Sequence, residues 1–278
     1  MKTRVITAIV GIIVLIGVMF TFNTLIFNLV IAAITLIALH EIYNALGFGK
    51  KEWLMYAVLV PYTLLVMTSN YQVMRALVMP VSFVLVTFYA IYLVVRNGTI
   101  SYQKASGLLM FSGIVIFCFY SFIRLKELLP VEQFGYDAVF FILLILCFAW
   151  GGDTAAYFAG RAFGKHKLAP VVSPNKTIEG VFGGLGGAML GMLIYALILD
   201  FFLKFEVNYL IALLYGLLGS AVGTFGDLCF SIIKRQTGIK DYGNLIPGHG
   251  GVLDRFDSLS MVAPLMEALL LLLPLVKM

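Results

Sequence analysis

The sequence predicts an all-α protein that crosses a membrane several times, and three observations support this fold class. Of its 278 residues, 62% are hydrophobic and only 12% are charged, whereas soluble domains are nearer half apolar and a quarter charged. Apolar stretches long enough to cross about 30 Å of hydrocarbon recur along the whole chain. Most basic residues fall in alternate connecting segments. We therefore expect a polytopic integral membrane protein of about nine transmembrane helices.

Nine apolar stretches are candidates for these helices. In chain order they cover residues 4–22, 24–41, 53–69, 73–95, 105–123, 136–159, 178–199, 208–232 and 256–276. The first is too long for the apolar region of a typical signal peptide, and no cleavage site follows it, so we expect a retained signal anchor. Polar or small residues interrupt the pattern at Asn23, between the first two stretches, and at 151–153, within the sixth.

The distribution of basic residues predicts the orientation of the helices. If the N-terminus is cytoplasmic, 14 of the 19 Lys and Arg residues fall in cytoplasmic segments, as the positive-inside rule predicts. The net charge of +5 is then concentrated on one membrane face, beside anionic lipid head groups and cytosolic nucleotides. The sequence has no soluble basic domain, so we expect membrane lipids and no nucleic acid among its partners.

The two halves of the chain differ in polar content. Residues 1–145 are typical of membrane helices with short loops, a possible scaffold or dimer half, whereas residues 146–278 contain most of the glycines and intramembrane acids. We predict a single membrane domain, 1–278, whose second half holds the functional site. In the seventh stretch, Gly180 and Gly184 illustrate a small-x-x-x-small spacing that lets helix backbones approach closely. This spacing predicts tight packing within the bundle or at a dimer interface.

Four aspartates lie at or near predicted cytoplasmic ends of helices. They are Asp153, Asp227, Asp254 and Asp257. An ionised carboxylate in a membrane is costly, so each must have a partner or a water-filled cavity. Asp227 and Asp254 flank one loop and are expected to face each other, an arrangement that suits Mg²⁺ or another divalent cation. The alternative is a set of paired interfacial charges. Glu41, which ends the second stretch, is interpreted as structural.

Helical spacing extends this candidate site. Asp227, Ser231 and Lys234 are spaced i, i+4 and i+7, so they share one face of the eighth helix. Asp254 and Asp257 are spaced i, i+3 at the start of the ninth. Two helix ends would then present carboxylates with a hydroxyl group and a basic side chain close by.

A second candidate for binding phosphate precedes the seventh stretch. Ser173 followed by Pro174 is typical of an N-cap with proline at the first helical position, and we expect the helix to open there. A helix N-terminus with Asn175, Lys176 and Thr177 nearby would attract an anion. The alternative is simple helix capping beside a basic residue.

The loop between the last two helices carries the most specific pattern. Residues 231–257 read SIIKRQTGIKDYGNLIPGHGGVLDRFD, which fills every defined position of the signature of the CDP-diacylglycerol synthase family. That signature is Ser-x-apolar-Lys-Arg, then Lys-Asp, then Pro-Gly-His-Gly-Gly and finally Asp-Arg-apolar-Asp. The blocks at 152–157, 160–165 and 173–180 also resemble family blocks, so the resemblance covers roughly residues 146–260.

The resemblance implies an enzyme that joins CTP to phosphatidic acid, giving CDP-diacylglycerol and pyrophosphate. It implies a divalent metal, bound by Asp227 and Asp254 with Asp153 as a further candidate, and a homodimer in the bacterial inner membrane. Whether a monovalent cation assists stays open. The catalytic candidates are Asp227, Lys234, Asp254 and Asp257. Candidates for binding substrate and phosphate are Ser173, Asn175, Lys176, Thr177, Ser231, Arg235, Lys240, Asp241, His249, Gly250 and Arg255.

Within the loop, the glycines around His249 let backbone amides approach a phosphate closely. His249 is expected to position phosphate rather than act as a base, because phosphatidate is already ionised at neutral pH; the alternative is a plain loop histidine.

Two other functions remain open at this point. A CTP-dependent polyprenol or lipid kinase would also use CTP and a metal, but it would transfer the γ-phosphoryl group. An ion-coupled transporter would use the acids as an ion path, although such proteins commonly have internal repeats and charges near the bilayer midplane.

Overall fold

The computed structural model describes residues 2–128 and 137–276, and these ranges are mostly helical. The α-helices in chain order are α1 Lys2–Phe20, α2 Leu25–Ala45, α3 Trp53–Ala57, α4 Leu59–Met67, α5 Gln72–Val95, α6 Tyr102–Leu128, α7 Asp137–Phe163, α8 Ile178–Leu203, α9 Tyr209–Gln236 and α10 Leu253–Leu272. A short 3₁₀-helix at Lys50–Glu52 precedes α3, and two strands, β1 Lys167–Ala169 and β2 Ser173–Thr177, lie between α7 and α8.

The predicted fold class, an all-α polytopic membrane protein, is confirmed. Within the described ranges, five helices (α2, α5, α6, α8 and α9) are long and apolar enough to cross a bilayer. The total of about nine spans stays a prediction. Two local expectations change: the third stretch forms two helices separated at Val58, whereas α7 continues without a break through 151–153.

One compact unit combines α1 to α6 with the loop Thr237–Arg255. Its interior is formed largely by α2 and α6, whose Leu39, Ile42 and Leu108 side chains are fully buried. The loop joins this unit through direct contacts: the Thr7 hydroxyl donates a hydrogen bond to the carbonyl oxygen of Pro247. The N-terminal helices therefore support part of the signature loop.

A second compact unit combines α7, the two strands, α8, α9 and the part of α10 from Phe256 onward. Helices α7 and α8 pack with their backbones very close together. A Cβ atom on Gly183 would lie 2.1 Å from the Cβ of Ala159, and one on Gly187 would lie 2.2 Å from the Cβ of Ala155. The glycine pattern thus serves tight packing within the bundle, one of the two roles that the sequence predicted.

The start of α8 differs from the sequence prediction. Ser173 is not the N-cap of this helix; it begins β2, which pairs antiparallel with β1. Thr177 is the N-cap, and its hydroxyl accepts a hydrogen bond from the backbone N–H of Gly180. Pro174 can occupy a short edge strand because such a strand has positions that need no N–H donor. The helix therefore starts one residue after Thr177, at Ile178.

The boundary between the two compact units falls within the first turn of α10, after Arg255. Asp254 and Arg255 belong to the first unit, whereas Asp257 belongs to the second. The expectation of one membrane domain with a site-bearing half from residue 146 stays a prediction.

Candidate active site

In the second unit, Asp227 lies at the centre of a polar cluster. Its Oδ2 atom is 2.5 Å from Nζ of Lys176, and its Oδ1 atom accepts a hydrogen bond of 3.1 Å from the Ser231 hydroxyl. Asp227 and Ser231 are one turn apart on α9, as the i, i+4 spacing predicted, and Lys176 comes from β2. The hairpin therefore delivers a basic side chain to the acidic face of α9.

Asp153 on α7 adds a second carboxylate to this cluster. It interacts electrostatically with both Lys176 and Asp227. Three elements thus bring two carboxylates, one hydroxyl and one ammonium group together. Among the described residues, no group of three or more His, Cys, Asp or Glu side chains has the geometry of a metal site. Two carboxylates remain sufficient for Mg²⁺, which commonly takes its other ligands from water and phosphate.

Of the two basic residues at the end of α9, Arg235 lies beside the same hairpin. The Arg235 side chain donates from Nε to the backbone oxygen of Val172, which directly precedes β2. Lys234 is 8% exposed, so its long side chain is held within the protein. Of the hairpin residues, Thr177 is buried while it caps α8, and Asn175 is exposed.

In the first unit, Asp254 organises the signature loop. Its Oδ2 atom accepts hydrogen bonds from the backbone N–H groups of Tyr242, at 2.8 Å, and Gly251, at 3.0 Å. The side chain is 7% exposed. A Cβ atom on Gly250 would lie 3.0 Å from this oxygen, and the backbone φ of Gly250 is +91°, a conformation that favours glycine. The aspartate therefore fixes the fold of the loop as well as presenting a charge.

The loop encloses a polar pocket of about 460 Å³. Its lining residues are Lys240, Asp241, Asn244, Ile246, Gly248, His249, Gly250 and Arg255. Nδ1 of His249 is buried and has no hydrogen-bond partner within the described residues. Two cationic side chains and a histidine around one cavity can bind the oxygens of a polyphosphate. The structure thus brings three of the candidates for binding phosphate, Lys240, His249 and Arg255, to one cavity.

Comparison with known proteins identifies the family. The sequence pattern of the cytidylyltransferase family matches residues 2–273, nearly the whole chain. The chain belongs to this family. It is therefore a nucleotidyltransferase, as the signature loop predicted.

Several similar proteins carry the name phosphatidate cytidylyltransferase. The protein of that name from Staphylococcus haemolyticus is 34% identical over 279 residues, covering 98% of this chain and 99% of the relative. The one from Pseudomonas aeruginosa is 60% identical over 133 residues, or 46% of each chain. The one from Bacillus subtilis is 34% identical over 181 residues, covering 65% of this chain and 64% of the relative.

Some predicted members of the cytidylyltransferase site fall in different compact units. Asp227 lies in the second unit and Asp254 in the first, so their expected approach stays a prediction. Asp257 accepts a hydrogen bond of 2.8 Å at Oδ1 from the backbone N–H of Ser258. The assignment of individual roles to these three carboxylates is likewise a prediction.

Sequence reasoning placed Glu41 outside the site, but the structure brings it to the loop. Its two carboxylate oxygens accept hydrogen bonds of 2.8 Å from the backbone N–H groups of Val252 and Leu253. The only signal in the sequence was an acidic residue near the end of an apolar helix. Its partners lie 211 and 212 residues further along the chain, a separation that no local pattern reveals.

Proposed function

We propose that this chain transfers CMP from CTP to phosphatidic acid, giving CDP-diacylglycerol and pyrophosphate. The observation that carries the proposal is the polar pocket formed by the signature loop, in which Lys240, His249 and Arg255 surround one cavity. The names of relatives that match nearly the whole chain support the same reaction. CTP and phosphatidic acid are the substrates of this proposal.

The reaction requires charge neutralisation more than covalent help from the protein. A phosphate oxygen of phosphatidate attacks the α-phosphorus of CTP, the bond from that phosphorus to the bridging oxygen breaks, and pyrophosphate leaves. Lys240 and Arg255 would bind phosphate oxygens as charge builds on the leaving group. His249 would hold an oxygen in place, and the glycine-rich turn would admit the phosphate close to the backbone.

The cluster around Asp227 fits a divalent cation. Asp153 and Asp227 offer carboxylate oxygens and Ser231 offers a hydroxyl, all hard donors of the kind that Mg²⁺ binds. Asp254 is the further carboxylate that the family signature predicts. When bound, the cation would neutralise phosphate charge and polarise the reacting phosphorus. Lys176 beside Asp227 would keep one carboxylate oxygen oriented and would contact phosphate.

The metal proposal has its own test. Removal of divalent cations with EDTA should abolish turnover, and added Mg²⁺ should restore it. Asp227→Asn and Asp153→Asn should each raise the Mg²⁺ concentration needed for half-maximal rate, because one anionic ligand is lost. Unchanged Mg²⁺ dependence in both variants would contradict this ligand set.

Turnover by the purified chain tests the proposed reaction. In detergent with CTP, phosphatidate and Mg²⁺, wild type should form pyrophosphate and CDP-lipid in equal amounts, and Asp254→Asn should form neither. Asp200→Asn is the control, since Asp200 accepts a hydrogen bond from Tyr209 and belongs to neither cluster. Formation of CDP and a phosphorylated lipid would instead identify a lipid kinase.

We further propose that the chain resides in the bacterial inner membrane with its N-terminus and the signature loop facing the cytoplasm. The candidate spans support a multi-pass membrane protein, and the excess of Lys and Arg in alternate loops supports this orientation. CTP is a cytosolic nucleotide, so the pocket must open to that side. A homodimer stays a prediction from the resemblance.

A further inference from the structure

We propose that Glu41, a residue outside the signature loop, is a positioning residue for cytidylyl transfer. Its carboxylate fixes the loop on which Asp254 and the polar pocket are built. This inference rests on the proposed function and assigns to the N-terminal helices a direct part in it.

The first support is the contact itself. Glu41 lies near the end of α2 and is 5% exposed. Oε1 accepts a hydrogen bond from the N–H of Val252, and Oε2 accepts one from the N–H of Leu253, each at 2.8 Å. Leu253 begins α10 and Val252 directly precedes it, and the first N–H groups of a helix have no partner within the helix. A carboxylate there also interacts favourably with the positive end of the helix dipole.

The second support is the shape of the loop around the carboxylate. A Cβ atom on Gly251 would lie 2.5 Å from Oε1 of Glu41, and one on Gly243 would lie 2.8 Å from the same atom. Neither glycine has a positive φ, so the close approach of Glu41 is what excludes a side chain there. Two small residues of the signature are thus explained by a carboxylate that the signature does not contain.

The third support is the relation of Glu41 to the site. Asp254 follows directly after Leu253, and its Oδ2 atom accepts hydrogen bonds from Tyr242 and Gly251. Two carboxylates therefore hold the same short segment, Glu41 through residues 252 and 253 and Asp254 through residues 242 and 251. Arg255, the next residue, lines the pocket with Lys240 and His249. A shift in the start of α10 would move Asp254 and Arg255 together.

Burial of Glu41 is costly, which argues against an incidental contact. Within the described residues, no ion pair of Glu41 with Lys, Arg or His is found, and its carboxylate is satisfied by backbone N–H groups. An ionised carboxylate that is so little exposed loses most of its hydration. The two hydrogen bonds and the helix dipole must compensate for this cost. A neutral amide retains one acceptor and turns an NH₂ group toward the other N–H.

The test compares Glu41→Gln and Glu41→Asp with Glu52→Gln in the purified full chain. Glu52 is a matched control because its carboxylate also accepts a hydrogen bond from a backbone N–H, that of Gly49, and within the described residues it has no hydrogen bond or ion pair with the loop. Glu41→Gln removes the charge from the two hydrogen bonds, and Glu41→Asp keeps the charge but shortens the side chain by one methylene, so that it no longer reaches both N–H groups. Either change predicts a fall in kcat of about tenfold or more. The KM for phosphatidate and the thermal unfolding temperature should stay close to wild type, and Glu52→Gln should retain wild-type kcat.

A double-substitution cycle tests the contact without relying on a single variant. Gly251→Ala alone should lower kcat, because its Cβ would collide with Glu41. When Glu41 is replaced by Ala, no carboxylate occupies the space that the new Cβ needs. Gly251→Ala should therefore lower kcat much less in that background than in wild type. Independent effects of the two substitutions would contradict the proposed contact.

The outcomes separate this inference from the proposed function. Absence of CDP-lipid formation by wild type would reject the function itself. Active wild type with an equally active Glu41→Gln would reject only the positioning role. A loss of activity that merely follows the loss of folded protein in both Glu41 variants would also overturn it, since Glu41 would then be a structural residue alone.

Discussion

At the residue scale, each carboxylate oxygen of Asp227 has its own polar partner. One of its oxygens is matched to Lys176 and the other to Ser231, so the orientation of the carboxylate is defined on both sides. A carboxylate held in this way requires little reorganisation when charge changes nearby, which is the property expected of a group that handles phosphate or a cation.

The corresponding variant is Asp227→Asn. It should lower kcat by about 100-fold or more, because it removes the charge from the cluster and leaves Lys176 without its ion-pair partner. The rate of pyrophosphate release from CTP in detergent measures this effect. Asp200→Asn, which alters an aspartate outside the cluster, should retain most of the activity. A rate of Asp227→Asn within a few-fold of wild type would remove Asp227 from the catalytic set.

The sequence indicated some of these residues but not others. Asp227 and Ser231 were predictable as neighbours because helical spacing fixes their relation. Their contact with Lys176 was not predictable, since it depends on how the hairpin folds back toward α9, which follows it after another long helix in the chain. Glu41 was missed for the same reason, with a still longer separation from its partners.

At the element scale, the close approach of α7 and α8 brings Asp153 on α7 near the hairpin that precedes α8. Glycine and alanine line this contact: Gly183 faces Ala159 and Gly187 faces Ala155. Small residues allow such backbone proximity, and van der Waals packing supplies the attraction between helices in a membrane. The polar cluster at the end of α7 therefore depends on the packing of α7 against α8.

This packing predicts opposite outcomes for two glycines of the same helix. Gly183→Ala should destabilise the protein by about 1–3 kcal/mol, because the new Cβ would lie 2.1 Å from the Cβ of Ala159. Gly186→Ala should be neutral or slightly stabilising, since a Cβ atom there would meet no packing neighbour within 4 Å among the described residues and alanine favours the helix. Thermal unfolding in detergent distinguishes them. Equal unfolding temperatures for the two variants would contradict close helix packing at Gly183.

The sequence predicted the all-α membrane fold but not the hairpin, for a physical reason. A long apolar run must become a helix in lipid because all backbone groups must be satisfied internally. The segment 167–177 is short and polar, with no periodic apolar pattern to indicate strands. Ser173 and Pro174 satisfied the usual rule for a helix start, but Thr177 provides the cap instead.

At the scale of the whole molecule, the distribution of charge predicts which membrane face carries the site. Helix α5 is a suitable reporter because it is one of the candidate spans and its ends are well defined. Tyr71 precedes the helix and Thr99 follows it, and both are exposed. The positive-inside orientation puts Thr99 in the cytoplasm and Tyr71 on the other side.

Cysteine labelling tests this orientation. In a variant that lacks the native cysteines, Tyr71→Cys should react with a membrane-impermeant maleimide added to intact bacterial cells with a permeabilised outer membrane. Thr99→Cys should react only after the inner membrane is lysed. The reverse pattern would invert the proposed topology, and labelling of both positions in intact cells would mean that α5 does not span the membrane.

Composition and charge were sufficient for the fold class, and the signature loop was sufficient for the family. The chain nevertheless forms two compact units in which residues distant in sequence meet, and the loop Thr237–Arg255 belongs with the first six helices. This arrangement depends on specific side-chain contacts, such as those of Glu41 and Thr7. No periodic pattern in the sequence indicates such contacts.

The fate of the individual phosphates of CTP distinguishes cytidylyl transfer from transfer of the γ-phosphoryl group. The purified chain is incubated with phosphatidate, Mg²⁺ and CTP labelled at either the α- or the γ-phosphorus, and the lipid fraction is then extracted. Cytidylyl transfer predicts that the α-label enters the lipid and that the γ-label is recovered in pyrophosphate. Entry of the γ-label into the lipid, with the α-label left in soluble CDP, would exclude cytidylyl transfer and identify a kinase.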